Sequence, residues 1–478
     1  MDISRLLTSA VAASVVAIVV TAPPSSAADP AERADPDAAV EAYVEEWREA
    51  NGVPGAAVAV VDGDKVRTYL SGEDGDGDPV SPETPFLVGS VAKTFTSALV
   101  LGLVEDGRIR LDDPVNRYLT WLDAPTMTVR QLLTHTAGYT AGDGLAVSER
   151  FDNEPGALRR AAGDLEHHGT PGEYAYNSAD YLVLGALVEE VTGSSFAALA
   201  REDLFEPLGM TRTAADADGA STLAAGHRHW WAWTRAYDPG FDESGAPYGY
   251  VVSTLDDLVT YVRAQLAGQV LPRDLAGEAW SIQEVTGPGR GYGYGWSIDG
   301  DDRRRVHHTG ATPGYFAHVS LIPGEDRAVV VLANSYAEKR APSLSAAAAD
   351  IDEIMGGRSA TVRAGDPLLS AAPWLLSGLL PVGLVLMLVA RRHPISSRLR
   401  WAFAAAAGSA AVGLALLPRL LGVTLGFAIT WLPDLAIAVV AGSVTFLLAA
   451  ASWAIRPTGA AGTPRRSGQH PPRTYASC

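Results

Sequence analysis

The sequence predicts an α+β fold, an α/β sandwich in which an antiparallel sheet is flanked by helices and carries an inserted helical subdomain, followed by three transmembrane helices. Three features lead to that expectation. Strand-like runs stand at both ends of residues 35–356, a long helix-rich stretch separates them, and three uncharged apolar runs follow Asp366. A chain of 478 residues accommodates all of these, with apolar residues enough for a substantial core.

In chain order, residues 1–28 place Arg5 ahead of an apolar run and end in the small residues Ser25 to Ala28, the layout of a secretory signal cleaved near Ala27 or Ala28. Kept uncleaved, the run would be a signal anchor, but it is short for a spanning helix. After Asp35-Pro36, Val40, Tyr43, Val44 and Trp47 recur at helical spacing up to Asn51-Gly52, which reads as a capped amphipathic helix. GAAVAVVDGDKVRTYLSG then reads as two strands joined by a tight Asp-Gly turn. At the far end, RRRVHHTG, YFAHVSLIPG and DRAVVVLANS form three strand-like runs separated by Pro-Gly and Gly-Glu-Asp turns, and a helical stretch covers Ser343 to Met355. Residues 94–266 in between are the helix-rich middle.

The expected membrane spans are residues 367–390, 401–421 and 435–455. Residues 420–433 are uncharged as well but too short for a fourth span, and extend the second helix or form the loop after it. Arg391, Arg392, Arg398 and Arg400 follow the first span, and Arg456, Arg465, Arg466 and Arg473 follow the third; the positive-inside rule places both clusters in the cytoplasm. Residues before Asp366 then lie outside, in agreement with the signal segment. The expectation is a multi-pass protein of the cell membrane with an extracytoplasmic domain at 35–356 and a cytoplasmic tail at 456–478. No ionisable residue sits in the middle of a span, so anchoring is the expected role rather than an ion path.

A formal net charge of −18 argues against a nucleic-acid partner, since nothing basic and extended is present to neutralise phosphates. The sole cysteine is Cys478, so the exported domain must hold together without disulfides or a cysteine-ligated metal. No metal or other cofactor is expected. EDGDGDP at 73–79 has the alternating acids of a calcium loop, but Pro79 and Pro85 stand where its glycine and its bidentate acid belong, so it reads as a surface turn. GPGRGYGYGW at 287–296 has glycine at every second position, which suits a turn leading into a strand and not a phosphate cradle. HRHWWAW at 227–233 has two histidines without a nearby carboxylate or cysteine, a poor metal set, and reads as ordinary packing or an aromatic loop facing substrate or membrane.

The chemistry is concentrated in FLVGSVAKTF, where Ser90 precedes Lys93 by three residues. Lysine occurs only at Lys65, Lys93 and Lys339, and arginine supplies nearly all the other positive charge. Lysine can lose its proton when desolvated, as a general base must, and a guanidinium cannot. An extended segment gives way to a helix here, which puts the Ser90 hydroxyl at a helix N-terminus with Lys93 one turn on and on the same face; the positive end of that helix is expected to lower the lysine pKa. A neutral amine there could take the serine proton. Tyr176, with Asn177 and Ser178 at a second helix entrance, offers a phenol and polar side chains. His308-Thr309-Gly310 ends a strand, with a glycine that lets a substrate approach the backbone.

Ser90-x-x-Lys93, then Tyr176-x-Ser178, then His308-Thr309-Gly310, in this order and at these separations, resemble the three motifs of the serine β-lactamase and D-alanyl-D-alanine carboxypeptidase superfamily, closest to its class C branch and related esterases. TPFLVGSVAKTFTSALV, LDDPVNRYL, TVRQLLTHTAGY, LFEPLGMTRT and YGYGWSI resemble the family too, over roughly residues 37–354. The resemblance implies a covalent acyl-serine mechanism like that of penicillin-binding proteins. Ser90 would attack a carbonyl, Lys93 and Tyr176 would share the proton work, and the backbone N–H groups of Ser90 and Ala311 would form the oxyanion hole, with His308 in the catalytic set and Ser178, Thr309 and Gly310 on the substrate side. Ser178 stands where the family usually has asparagine, and His308 where it usually has lysine. An unperturbed histidine is mostly neutral at pH 7, so a fixed positive charge for a substrate carboxylate is missing.

The expected function is therefore a membrane-anchored extracytoplasmic serine hydrolase acting on an ester, amide or peptide. Its partner would be a small-molecule or peptide substrate with an acyl group, such as a cell-wall fragment, with β-lactam binding a weak side reaction. The alternatives within the fold are a penicillin-binding sensor that acylates without turnover and a true β-lactamase. A transporter subunit fits poorly with three short uncharged spans, and a Ser-His-Asp hydrolase lacks its G-x-S-x-G elbow.

Overall fold

The computed structural model describes residues 35–123, 126–300, 304–392, 395–420 and 423–455. The expected signal segment at 1–28 and the tail at 456–478 lie outside the described residues. Five helices carry the argument: α1 (Pro36–Asn51), α2 (Ala92–Glu105), α3 (Ala179–Thr192), α4 (Leu255–Ala267) and α5 (Ala341–Met355). Helix α1 starts where the Asp35 carboxylate accepts the Asp37 N–H and ends at Gly52, whose φ of +61 lets the chain turn back on itself.

The strands are β1 (Gly55–Asp62), β2 (Lys65–Gly72), β3 (Glu284–Gly287), β4 (Arg290–Tyr292), β5 (Ser297–Asp299), β6 (Arg305–Thr312), β7 (Tyr315–Ile322) and β8 (Arg327–Ala333). They form one eight-stranded antiparallel sheet in the order β2-β1-β8-β7-β6-β5-β4-β3. Strand β1 pairs with β8 from Ala56↔Ala333 to Asp62↔Arg327, so the two ends of the domain close a single sheet around the inserted middle. The glycine-rich stretch is the β3–β4 hairpin, turning at Pro288-Gly289 with Gly289 at φ +64. In the acidic stretch Asp74 Oδ1 accepts the N–H groups of Asp76 and Asp78, a self-contained turn.

Alternation along the strands divides the core into two layers. Phe316 of β7, with Val58, Val60, Val329 and Val331, shares one cluster with Val40, Val44 and Trp47 of α1 and Leu344 and Ile351 of α5. Tyr315, Ala317, Val319 and Leu321 of the same strand share the other with α2, α3 and α4. Trp47 is 1% exposed and its indole donates to the Ser343 carbonyl at 3.3 Å. Cutting such a side chain to alanine costs about 3–5 kcal/mol.

The chain divides into two units, the first ending at Ala371 but regaining residues 421–434, the second comprising Ala372–Leu420 and everything from Leu435. Among the described residues three helices are long and apolar enough to cross a membrane: Pro367–Arg392, Ser397–Leu420 and Pro433–Ala454. The second begins at Ser397, ahead of its apolar run, because Arg398 and Arg400 extend the helix without breaking it. Within the second unit Ala407 and Ala411, one turn apart, pack with Phe446 and Ala449, and small residues let helices approach closely there. The uncharged stretch between the second and third helices forms its own short helix, Leu425–Trp431. It belongs to the first unit, where Arg228 donates to the Ile429 and Thr430 carbonyls at 3.2 and 2.9 Å and the Trp431 indole donates to Glu149 at 2.6 Å.

Candidate active site

Phe86–Leu87 pairs with Val252–Ser253, and the chain then makes a tight turn over Gly89–Val91 before α2 begins. Ser90 sits in that turn and Lys93 in the first turn of α2. Lys93 Nζ lies 2.9 Å from Ser90 Oγ and an N–H donates to the Tyr248 carbonyl at 3.0 Å. The amine is 0% exposed and stands 5.1, 5.7 and 5.8 Å from the ring centres of Tyr176, Tyr181 and Tyr248. Burial pushes its pKa down to about 7, against an opposing pull from the Asp180 carboxyl. Desolvation, one of the two causes the sequence suggested, is thus the main one. With a neutral amine, the Ser90 hydroxyl donates to the nitrogen lone pair and is set up to lose its proton.

Ser90 stands near enough to the Tyr176 hydroxyl to favour its ionised form, against the larger effect of desolvation. Although the residue is 39% exposed, its ring lies among Lys93, His135 and His308, and desolvation there raises the phenol pKa, so it stays protonated through the ordinary pH range and can pass a proton on but cannot wait as a phenolate base. Two glycines bring the turn against β6. A Cβ on Gly89, which holds φ +52, would stand 2.3 Å from the Ala311 nitrogen, and one on Gly310 would stand 2.9 Å from the Ser90 nitrogen. The backbone nitrogens of Ser90 and Ala311 are thereby brought close together beside the Ser90 side chain.

His308 comes into this pocket from β6, its ring 6.1 Å from that of Tyr176. Its Nδ1 lies 2.9 Å from the Thr309 carbonyl, which can only accept, so Nδ1 carries the hydrogen and Nε2 accepts from the Tyr292 hydroxyl at 3.1 Å. Burial, with Lys93 nearby, lowers its pKa to about 3, and the ring is neutral with both nitrogens committed. Thr309 points to the opposite face of the strand, where its hydroxyl lies 2.8 Å from His318 Nδ1. Ser178 is half-buried at the entrance to α3 and makes no capping bond. The neighbouring Asn177 turns inward, its amide donating to the Ala175 carbonyl at 2.7 Å and to Asp180 Oδ2 at 2.6 Å. The structure therefore gathers Ser90, Lys93, Tyr176, His308, Gly310 and Ala311 around one point, and leaves the Thr309 side chain outside it.

Sequence reasoning passed over Gly89, Tyr248, Tyr292, His135 and Asp180. Gly89 adjoins the nucleophile and could have been found as the glycine of a tight turn; the phenols and the buried His135–Asp180 pair carry no local signal. The histidines of the 227–233 stretch bond within the protein, His227 Nδ1 lying 3.0 Å from the Asn334 carbonyl and His229 Nε2 3.0 Å from Ser335 Oγ, while Trp233 is exposed. Among the described residues no group of three or more histidine, cysteine or acidic side chains could hold a metal ion.

Comparison with known proteins matches residues 37–353 to the family model described as Beta-lactamase. Penicillin-binding protein 4 of Amycolatopsis lactamdurans is 32% identical over 310 residues, covering 59% of this chain and 81% of that protein. Protein flp of Staphylococcus aureus (strain N315) is 26% identical over 306 residues, 60% of each chain. Among solved structures, the octameric penicillin-binding protein homologue from Pyrococcus abyssi shares the fold, with a TM-score of 0.57 and 24% identity over 72% of this chain and 80% of that one. SurE aligns with a TM-score of 0.56 and 28% identity over 68% and 77%.

Proposed function

Because the chain belongs to the beta-lactamase family of serine acyl-transferases and hydrolases, we propose that it hydrolyses an ester, amide or peptide bond through an acyl-Ser90 intermediate. The observation that carries this reading is the 2.9 Å separation of Ser90 Oγ from a fully enclosed Lys93 amine whose pKa lies near 7. Ser90 Oγ attacks the carbonyl carbon as its proton moves to Lys93 Nζ. The oxyanion gathers the Ser90 and Ala311 N–H groups, and the proton returns from Nζ through the Tyr176 hydroxyl to the leaving group. Water then repeats the sequence on the acyl carbon and releases the acid.

The neutral His308 bears on the substrate. With no fixed cation at that position, recognition of a carboxylate such as that of a β-lactam loses a contact worth about 1.5–3 kcal/mol. Uncharged esters, amides and peptides are favoured over penicillins. Membrane attachment would come through the three apolar helices, with the catalytic domain outside the cell. Three features support that sidedness: the signal-like residues 1–28, the arginines flanking the apolar runs, and the packing of residues 425–431 on the catalytic unit, which needs that loop and the domain on one side.

Mass spectrometry of the protein after exposure to a panel of esters, D-amino-acid peptides and penicillins tests the reading. A transient adduct on Ser90 that turns over with an ester or peptide supports it. A single stable equivalent with no turnover would mark a sensor, and the absence of any adduct would remove the acyl-serine chemistry.

A further inference from the structure

The aromatic hairpin at 226–237 takes no part in those steps. Gly226–Trp230 pairs with Trp233–Tyr237 on one side and with Ser335–Tyr336, just beyond β8, on the other, so the hairpin flanks the end of the large sheet where Ala56 meets Ala333. Its turn holds Trp230, Trp231 and Trp233. Trp231 has φ +50, a left-handed conformation seldom taken by a bulky residue. Both polar groups of its backbone are held there. The N–H donates to Asp434 Oδ2 at 3.0 Å, and the carbonyl accepts from Lys339 Nζ at 2.9 Å.

Lys339 joins three segments at this point, all within the first unit. Its buried ammonium also lies 3.2 Å from Asp434 Oδ2, and its own carbonyl accepts the Asp366 N–H at 2.7 Å. Asp366 immediately precedes the apolar helix Pro367–Arg392 and accepts the Leu369 N–H at 2.9 Å, while Asp434 is the second residue of Pro433–Ala454. The starts of the first and third apolar helices and the tryptophan turn thus meet at one residue.

Charged groups mark the edge of the hydrocarbon, because each costs about 2.5–3.5 kcal/mol at the centre of a span. Asp366, Asp434 and Lys339 therefore belong at or outside that edge. A turn hydrogen-bonded to two of them lies at the same level, the layer that tryptophan favours because its ring is apolar with one polar edge. The exposed side chains suit that layer. Trp233 is 59% exposed, and the short helix Leu425–Trp431, which is bonded to Arg228 of the hairpin, shows Leu425 at 46% and Ile429 at 53%, one turn apart on one face. Arg235, exposed and opposite Arg228 in the hairpin, adds a guanidinium that matches phosphate.

We propose that the hairpin tip and the outer face of the 425–431 helix form a lipid-binding surface, seated in the phospholipid headgroup layer beside the first and third spans. This surface presupposes the membrane attachment read above and adds to it: the catalytic unit is held on the bilayer by its own side chains as well as by its tethers.

Cys478→Ser removes the native thiol, so that one new cysteine at a time can carry a nitrobenzoxadiazole label in the full-length protein, reconstituted into phosphatidylcholine vesicles. Ala232→Cys sets the label in the tryptophan turn, Asp64→Cys in the exposed turn at the other end of β1, and Val440→Cys on an exposed position of the third span. With a lipid that carries a nitroxide on its headgroup, the label at 232 is expected to lose about half its fluorescence or more and the label at 64 almost none. Iodide on both sides of the membrane is expected to give the reverse order. A label at 232 that answers to iodide as the one at 64 does, or that is shielded from both quenchers as a protein partner would shield it, overturns the proposal. Should Ala232→Cys not fold, Ile429→Cys carries the same expectation and the same refutation. Failure of the membrane reading looks different: the label at 440 would escape a nitroxide placed on the lipid acyl chain, and the proposal falls with it.

Discussion

Gly310 crosses Val88 with no room for a side chain between them: a Cβ on Gly310 would stand 1.9 Å from the Val88 carbonyl oxygen. That close crossing brings the turn at Ser90 against Gly310 and Ala311, and the Ala311 N–H with that of Ser90 forms the proposed oxyanion hole. Gly310→Ala must push β6 away from the turn, and the contact is with backbone, which cannot swing aside. Removing one oxyanion donor costs about a hundredfold to a thousandfold in rate, and Gly310→Ala is expected to slow Ser90 labelling by at least the lower figure. Fluorophosphonate kinetics on the folded variant measure it.

His308→Lys would place a second amine near Lys93. Like charges disfavour each other, so the acid limb of Ser90 labelling is expected to shift to lower pH, and acylation by a penicillin carboxylate to speed up about tenfold relative to an uncharged ester. The ratio of the two acylation rates, wild type against variant, checks this.

Asn177 holds the entrance of α3 from both ends of its amide, accepting the Asp180 N–H and donating to Asp180 Oδ2 and the Ala175 carbonyl. Asn177→Ala leaves those buried groups unmatched, at about 1–3 kcal/mol. A thermal melt is expected to show a fall of several degrees, about 2–4 °C per kcal/mol for domains of a few hundred residues.

The sole cysteine, Cys478, is a built-in reporter of sidedness. In intact cells a membrane-impermeant maleimide is expected to leave it unlabelled, and to label it once the cells are permeabilised. Labelling in intact cells would place the tail outside, contrary to the arginine pattern.

The strands at both ends of the domain were legible because Val-rich runs bounded by Pro-Gly and Asp-Gly turns have few other uses, and the apolar runs beyond Asp366 because no soluble core needs so many uncharged residues in succession. Ser90, Lys93 and Tyr176 were legible through three motifs in one order. What the linear pattern could not carry was direction. Thr309 adjoins His308, yet strand alternation sends its hydroxyl to His318 on the other face. Asn177 adjoins Ser178, yet its amide turns inward to Asp180. His135 and Asp180, 45 positions apart, meet only in the folded core, and neither has a neighbour that announces the pairing.

The acyl-Ser90 chemistry requires Lys93 to work as an uncharged amine. The most direct test is the pH dependence of Ser90 labelling in wild-type protein beside Lys93→Arg. The wild-type rate is expected to rise through a limb near pH 7, where burial places the amine, and Lys93→Arg, which keeps the charge but cannot accept the proton, to lose about a hundredfold or more. A Lys93→Arg protein that labels at the wild-type rate, with the same limb, would contradict it.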